Sequence, residues 1–192
     1  MKLIKICKFL EYQNKVMKNK ALILTSKLVQ DHEFIYPFYR LKEEGFDVHT
    51  CNGDKNQVLG YFGTKIPPKE DDKIIQIDKI NCKNYDILVL PGGIKSMELM
   101  RLNKKIINII KVFHKEKKII SATCSACMLL ISAGVSKGAK MTGYYAWKDD
   151  IINSGAQFID QPSVVYKNLV TSPHYKYVGQ WMKSTIELLK TK

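Results

Sequence analysis

Two cysteines three residues apart, in Cys124-Ser125-Ala126-Cys127, stand where an apolar run, Ile119-Ile120-Ser121-Ala122-Thr123, gives way to a helical segment. A thiol at a strand-to-helix junction projects from a sharp turn toward the positive end of the helix. Backbone amides and helix dipole there favour the thiolate, which is the nucleophilic form. The Ser125 N–H, with one from the Gly92-Gly93 turn, would supply an oxyanion hole. Glu33 matters if its carboxyl reaches Cys124, because an acid that donates to a thiolate holds it and has its own pKa raised. His32 and His174 are the candidate general bases. Cys127 completes a Cys-x-x-Cys spacing and is the candidate resolving thiol of a redox pair, although a cysteine at that point of a helix commonly just packs against the sheet.

These residues must be brought together by the elements around them. Lys20–Thr25 is a continuous apolar run of strand length, as expected of a strand buried on both faces. A helix is expected over Glu33–Glu44, with Phe34, Phe38 and Leu41 on one face and Gly45 as its stop, then an alternating strand over 46–50. Residues 52–80 carry Gly53, Gly60, Gly63 and Pro67-Pro68, which predicts small strands and turns. Tyr85–Leu90 reads as a buried strand closed by Pro91-Gly92-Gly93. One long amphipathic helix follows, with Leu99, Leu102, Ile106, Ile109 and Phe113 on its stripe. The remainder predicts strand 119–123, helix 125–133, strand 139–143, a short helix near 147–154, strands near 156–160, 163–167 and 169–172, and a helix from about 175 to 189.

Alternating strands and helices predict an α/β domain with a mostly parallel sheet covered on both faces. Residues 1–19, polar and rich in lysine, read as an N-terminal extension, and 20–192 as a single domain. In such folds ligands gather at the carboxyl ends of the strands. That rule alone selects Gln30, His32 and Glu33, then Gly92 and Gly93, then Cys124, and finally Ser172 and His174.

Composition excludes more than it selects. The 192 residues carry a formal charge of +13, yet of the 31 basic residues only Arg40 and Arg101 are arginine. Lysine is spread along the chain, which argues for solubility and weak steering rather than nucleic-acid readout. Five cysteines, an odd number without a two-pair zinc spacing, and His32, His49, His114 and His174 each isolated, argue against a disulfide framework and a structural metal. Neither a Gly-x-Gly-x-x-Gly after the first strand nor a P-loop is present, so no nucleotide or other cofactor is expected. No apolar run approaches the ~20 residues of a membrane span, and the short Ile4–Leu10 run lacks a cleavage pattern. A cytoplasmic protein is expected, with no membrane partner.

The segments Glu33–Gly45, Leu88–Gly93, Arg101-Leu102-Asn103, Leu129–Val135 and Lys148–Asn153 resemble the PfpI/ThiJ family of intracellular proteases, deglycases and related proteins. The similarity runs from about Lys20 to the C-terminus. It implies a flavodoxin-like three-layer sandwich, also described as glutamine amidotransferase-like, and a homodimer or higher homo-oligomer. By the same resemblance the nucleophile falls on Cys124, its partner acid on Glu33, the oxyanion contacts on Gly93 and Ser125, and an intersubunit glutamate on Glu98. Three departures stand out. Cys-His-Gly, usual in protease- and deglycase-like members, is here Cys124-Ser125-Ala126, so the usual histidine base is missing. A second acid before the first helix is replaced by Gln30. The late Ser-Arg sequence is replaced by Thr171-Ser172-Pro173-His174-Tyr175, which puts His174 forward as the substitute base.

These residues lead to a cysteine-dependent hydrolase or lyase acting on a small electrophilic substrate, deglycase-like or hydratase-like. The alternatives are a thiol-based redox sensor or chaperone using Cys124 with or without Cys127, and an intracellular cysteine peptidase of the PfpI type. Peptidase chemistry suffers most from the missing histidine, because expelling an amine needs a proton donor. Tyr144, Tyr145 and Trp147 are candidates to line a pocket.

Overall fold

The computed structural model describes residues 19–69 and 72–191; the extension expected over residues 1–19 lies, apart from Asn19, outside them. In chain order the strands are β1 (Lys20–Leu24), β2 (Asp47–Cys51), β3 (Val58–Leu59), β4 (Lys65–Ile66), β5 (Ile87–Leu90), β6 (Ile119–Thr123), β7 (Lys140–Met141), β8 (Gln157–Phe158), β9 (Val164–Tyr166) and β10 (Leu169–Ser172). The α-helices are α1 (Asp31–Glu43), α2 (Ile94–Leu102), α3 (Lys104–Lys115), α4 (Cys127–Ser132), α5 (Lys148–Asn153) and α6 (Val178–Lys190).

A six-stranded sheet runs in the order β2-β1-β5-β6-β10-β9. Its first five strands are parallel, and β9 closes one edge antiparallel to β10. The period of two along each strand sends alternate residues into two cores. Ala21 and Ile23 of β1 pack with Phe34, Phe38 and Leu41 of α1 and Trp181, Met182 and Ile186 of α6. Leu22 and Leu24 face the other way, into Met97 of α2, Ile110 and Phe113 of α3, Leu130 of α4 and Ile151 of α5. This is the α/β three-layer sandwich expected of the sequence. β3 pairs with β4, and β7 with β8, as two-stranded additions. The run after Pro68 contributes a single parallel bridge, Thr50 to Ile74.

The structure corrects the long helix after Gly93. It is two helices, α2 and α3, broken at Asn103, whose backbone is extended (φ −89°, ψ 103°) and whose side chain caps α3 by accepting from the amides of Lys105 and Ile106. An asparagine cap satisfies donors that a continuing helix would bond to carbonyls, so the chain changes direction there. The stripe is interrupted accordingly. Leu102 is 82% exposed, whereas Ile106, Ile109 and Phe113 are buried. Three other helices open with a 3₁₀ turn: Cys124–Ala126 precedes α4, Tyr145–Trp147 precedes α5, and Tyr175–Tyr177 precedes α6.

This break has a measurable consequence. Asn103→Ala should cost about 1 kcal/mol in urea unfolding and Leu102→Ala less than about 0.5 kcal/mol. Phe113→Ala, in the core, should cost about 3–5 kcal/mol. A stabilising Asn103→Ala would mean that α2 and α3 form one helix.

Candidate active site

The strand order reverses between β1 and β5, since the chain leaves β1 for one edge of the sheet and returns to build the other from β5. In open α/β sheets the ligand crevice lies outside the carboxyl ends of the strands at such a switch point. The loop after β1 is joined to the loop after β5 there, with the Gln30 N–H donating to the Gly92 carbonyl at 3.2 Å. β6, beside β5, ends at Thr123 and delivers Cys124 to the same rim.

Glu33, in the first turn of α1, is fully buried. Its Oε2 accepts from the Gly92 N–H at 2.8 Å, while Oε1 has no hydrogen-bond partner. Burial pushes its pKa up to about 7, against the lowering pull of the Gly92 amide and of Cys124. Cys124 is partly exposed and has φ +55°, a left-handed conformation that is strained for any residue with a side chain. The two side chains meet over Gly92. A Cβ on that glycine would lie 2.6 Å from Glu33 Oε2 and 2.7 Å from Cys124 Cβ, so only glycine fits.

The resting thiol differs from the sequence expectation. Burial, and next the charge of Glu33, push the Cys124 pKa well up, and the Ser125 amide only partly offsets them. A short 3₁₀ turn precedes α4, and a carboxyl sits against the sulfur. Dipole stabilisation of a thiolate is therefore outweighed by desolvation and like-charge repulsion. Both groups hold their protons more tightly than in water.

The Ser125 N–H, the expected oxyanion donor, acts on the sulfur itself. The Ser125 hydroxyl is buried without a hydrogen-bond partner. Gly93 has φ +98°, and a Cβ there would fall 2.7 Å from the backbone of Leu28 and Gln30. The Gly-Gly turn is thus fixed by close backbone approach on two sides. Cys127 is buried, its thiol pushed up to about 12 by burial, and it packs against Gly143, where a Cβ would lie 2.5 Å from Sγ. Cys124 Cβ lies against Gly92 and Cys127 Sγ against Gly143, and Cys127 adds to the upward push on the Cys124 thiol.

His174 stands two residues beyond Ser172, which is level with Thr123 in the β6–β10 ladder. Its ring lies 4.1 Å from that of Tyr175 and 6.0 Å from that of Tyr144, and the Tyr144 amide donates to the Cys124 carbonyl at 3.2 Å. His174 therefore flanks the bend, but Glu33, Ser125 and Cys127 are the groups that act on the sulfur. His32 stacks on Tyr175 at 5.5 Å and meets Phe62 edge-on at 5.9 Å, so a band of aromatic rings borders the site. Tyr145 is exposed at the end of this band, whereas Trp147 packs against the core. Glu98 is exposed on α2 and pairs with Lys95 at 3.1 Å.

Asp31 escaped the sequence reading. It is buried and accepts from the amides of Phe62 (2.8 Å) and Thr64 (3.0 Å), which ties the β3–β4 hairpin to α1. Gly60 leaves room for it. The only signal available was an acid directly after Gln30. Gln30 itself caps α1, its Oε1 accepting from His32 N–H at 2.8 Å and Glu33 N–H at 3.3 Å. Among the described residues, no cluster of three or more histidine, cysteine or acidic side chains could hold a metal, and no helix is long and apolar enough to cross a membrane.

Comparison with known proteins follows the same lines. Residues 19–188 match the model of the DJ-1/PfpI family. The chain is 39% identical over 171 residues to "Deglycase PfpI" of Pyrococcus furiosus, covering 89% of this chain and 99% of that one. It is also 39% identical over 171 residues to "Deglycase PH1704" of Pyrococcus horikoshii, with the same coverage. Among solved structures, a two-domain protein of Anabaena variabilis with DJ-1/ThiJ/PfpI-like and ferritin-like domains superposes with a TM-score of 0.83 at 27% identity. That match covers 90% of this chain and 48% of the other, so this chain spans about half of it.

Because Glu33 binds its proton more tightly folded (about 7) than unfolded (4.5), its contribution to stability is full below 4.5 and is lost as pH rises through about 7. Relative to Glu33→Gln, the wild type should lose about 3 kcal/mol between pH 4.5 and 7.5. Parallel stability curves in urea would show instead that the carboxyl is solvated.

Proposed function

This chain belongs to the DJ-1/PfpI family, and we propose that it is a deglycase-type enzyme that uses Cys124 to attack a small carbonyl-derived adduct. The names of its relatives support a deglycase-type activity. The observation that carries the cysteine assignment is the buried Glu33 carboxyl, poised near neutrality with a free Oε1, meeting Cys124 across Gly92. A base tuned close to the working pH is the one that transfers a proton most effectively.

In this reading the thiol keeps its proton until substrate arrives. As the carbon–sulfur bond forms, the proton passes to Glu33. The negative charge developing on the substrate oxygen is met by the amides of Ser125 and Gly93. Glu33 then returns the proton to the departing amine or thiol, which leaves a hemithioacetal on Cys124. Its hydroxyl gives up a proton as the carbon–sulfur bond breaks, the sulfur is reprotonated, and the freed dicarbonyl is hydrated by water with no change of oxidation state. The histidine that usually follows the nucleophile is not needed for this cycle, because one carboxyl both accepts and returns the proton. Peptide hydrolysis is less well served, since Ser125 offers no acid to a leaving amine. Glyoxal-type adducts of amines and thiols, whose leaving groups depart from a tetrahedral carbon already bearing a hydroxyl, suit the site better. A homodimer or larger assembly, with Glu98 reaching the site of a neighbouring copy, completes the proposal, as does action within the cytoplasm. For the redox alternative Cys127 is a poor resolving thiol, since it is buried under Gly143 and burial pushes its pKa up to about 12.

The test is turnover of methylglyoxal-modified N-acetylcysteine and N-acetyllysine. Cys124→Ser should lose more than about 10³-fold in kcat/KM, and Glu33→Gln about 10²–10⁴-fold. In the wild type, kcat/KM should rise as pH increases through about 7, where Glu33 ionises, and that limb should vanish in Glu33→Gln. Full activity in Cys124→Ser would remove the cysteine from the chemistry.

A further inference from the structure

His174 occupies the rim as the substitute for a missing base, and its hydrogen bonding argues for a different task. The Lys176 N–H donates to His174 Nδ1 at 3.2 Å, so this nitrogen caps the 3₁₀ turn as an acceptor. In a neutral imidazole whose Nδ1 accepts, the proton resides on Nε2. Burial, and then the charge of Lys176, pull the His174 pKa down, which keeps the ring neutral at pH 7. Neither a carboxylate nor a thiolate acts on it. A catalytic histidine base is ordinarily oriented through its second nitrogen by an acceptor, which receives the N–H and stabilises the imidazolium as it forms. His174 has the reverse arrangement: its second nitrogen receives a proton donor, and its neighbour is a cation.

His32 repeats the pattern across Tyr175. Gln30 Oε1 is committed to two backbone amides, so its NH₂ is the group that faces His32 Nδ1, at 3.3 Å. Two imidazoles on either flank of one tyrosine thus both have Nδ1 engaged as an acceptor and Nε2 left as the N–H.

We propose that His174 is a hydrogen-bond donor to the substrate, not the proton acceptor for Cys124, and that its Nε2–H binds the oxygen on the carbon next to the one under attack. This rests on the cysteine reading above. The oxygen of the attacked carbon is served by the amides of Ser125 and Gly93. The end of β10, one strand over from β6, is where a second oxygen of the same small substrate would lie. The inference selects substrates with oxygens on two adjacent carbons over simple aldehyde adducts.

Three variants separate the roles, because glutamine places an N–H near the position of Nε2 whereas asparagine places an acceptor near that of Nδ1. His174→Ala and His174→Asn should each lower kcat/KM on methylglyoxal-modified N-acetylcysteine about 10²-fold, while His174→Gln stays within about tenfold of wild type. The pH profile of His174→Gln should keep the limb near 7. If asparagine rescues and glutamine does not, the residue is only a cap; if all three variants behave alike, it is not a substrate donor; either result overturns the proposal. Nitrogen-15 NMR of the histidines in the unmodified protein should show the neutral Nε2–H tautomer for His174 at pH 7.5, and the Nδ1–H tautomer would overturn the proposal without recourse to any variant. Retained activity in Cys124→Ser would instead defeat the cysteine reading, a separate failure visible in a separate protein.

Discussion

A carboxyl group placed beyond the reach of water, with one oxygen bonded to a backbone amide, the other unpartnered and a cysteine beside it, sets the terms for everything around it. Burial of Glu33 makes ionisation costly, and a single amide, that of Gly92, returns only part of the lost hydration. The charge that does develop repels a second negative charge on Cys124, so the two protons are coupled: the departure of one holds back the other. This closeness exists because position 92 has no side chain. A methyl group there would separate the acid from the sulfur and open both to water. The proton affinities of two residues from distant parts of the chain are therefore set by the emptiness of a third.

The surrounding loops are arranged to preserve that contact. Gln30 joins the loop after β1 to the loop after β5 through its backbone, and caps α1 with its side chain so that Glu33 enters the helix at a fixed angle. Asp31, one residue on, turns outward and holds the β3–β4 hairpin by two amides, which keeps Phe62 against His32. Cys124 retains its left-handed backbone because Tyr144 bonds its carbonyl while strand β6 anchors the chain on the other side. Such strain, worth about 1–3 kcal/mol, persists only where the neighbours fix it. Desolvation thus governs the site's proton chemistry, and backbone hydrogen bonds govern its shape.

How much of this was legible in the sequence follows from which forces are local. Runs such as Ala21–Leu24 and Ile87–Leu90 are apolar at every position because both faces of a parallel strand are buried, so the sandwich could be read directly. The strand-end rule found Glu33, Gly92, Gly93, Cys124 and His174 for the same reason, since it depends on topology and on no contact. The α2–α3 boundary was misread, although Asn103 carried the signal, because the apolar spacing on either side of it happened to stay in phase. The resting state of Cys124 was not legible. A cysteine ahead of a helix suggests a thiolate, and only coordinates show that a carboxyl is buried against it. The tautomer of His174 depends on one bond from Lys176, and the clamp at Asp31 on a hairpin thirty residues away. Neither leaves a periodic trace.

The raised thiol pKa finally bears on which kind of cysteine protein this is. Oxidation of a cysteine by peroxide proceeds through the thiolate, and its rate follows the fraction ionised. A sensor therefore needs a thiol that is ionised at rest, usually beside a cation, with a second thiol facing the first. Here the residue against the sulfur is an acid, His174 Nδ1 accepts from the Lys176 amide, and Cys127 is buried against Gly143 with its own thiol pushed up. In the reading proposed above, such a thiol stays protonated until a substrate displaces water from the site and offers a carbon for the sulfur to bond as its proton leaves. Glu33 is suited to that moment, since near neutral pH it can take the proton when the bond forms and give it back when the bond breaks. In the proposed cycle, the serine after Cys124 brings no base of its own and leaves the carboxyl as the proton carrier. On that proposal, the same arrangement that denies the thiol its charge at rest supplies the means of deprotonating it during reaction.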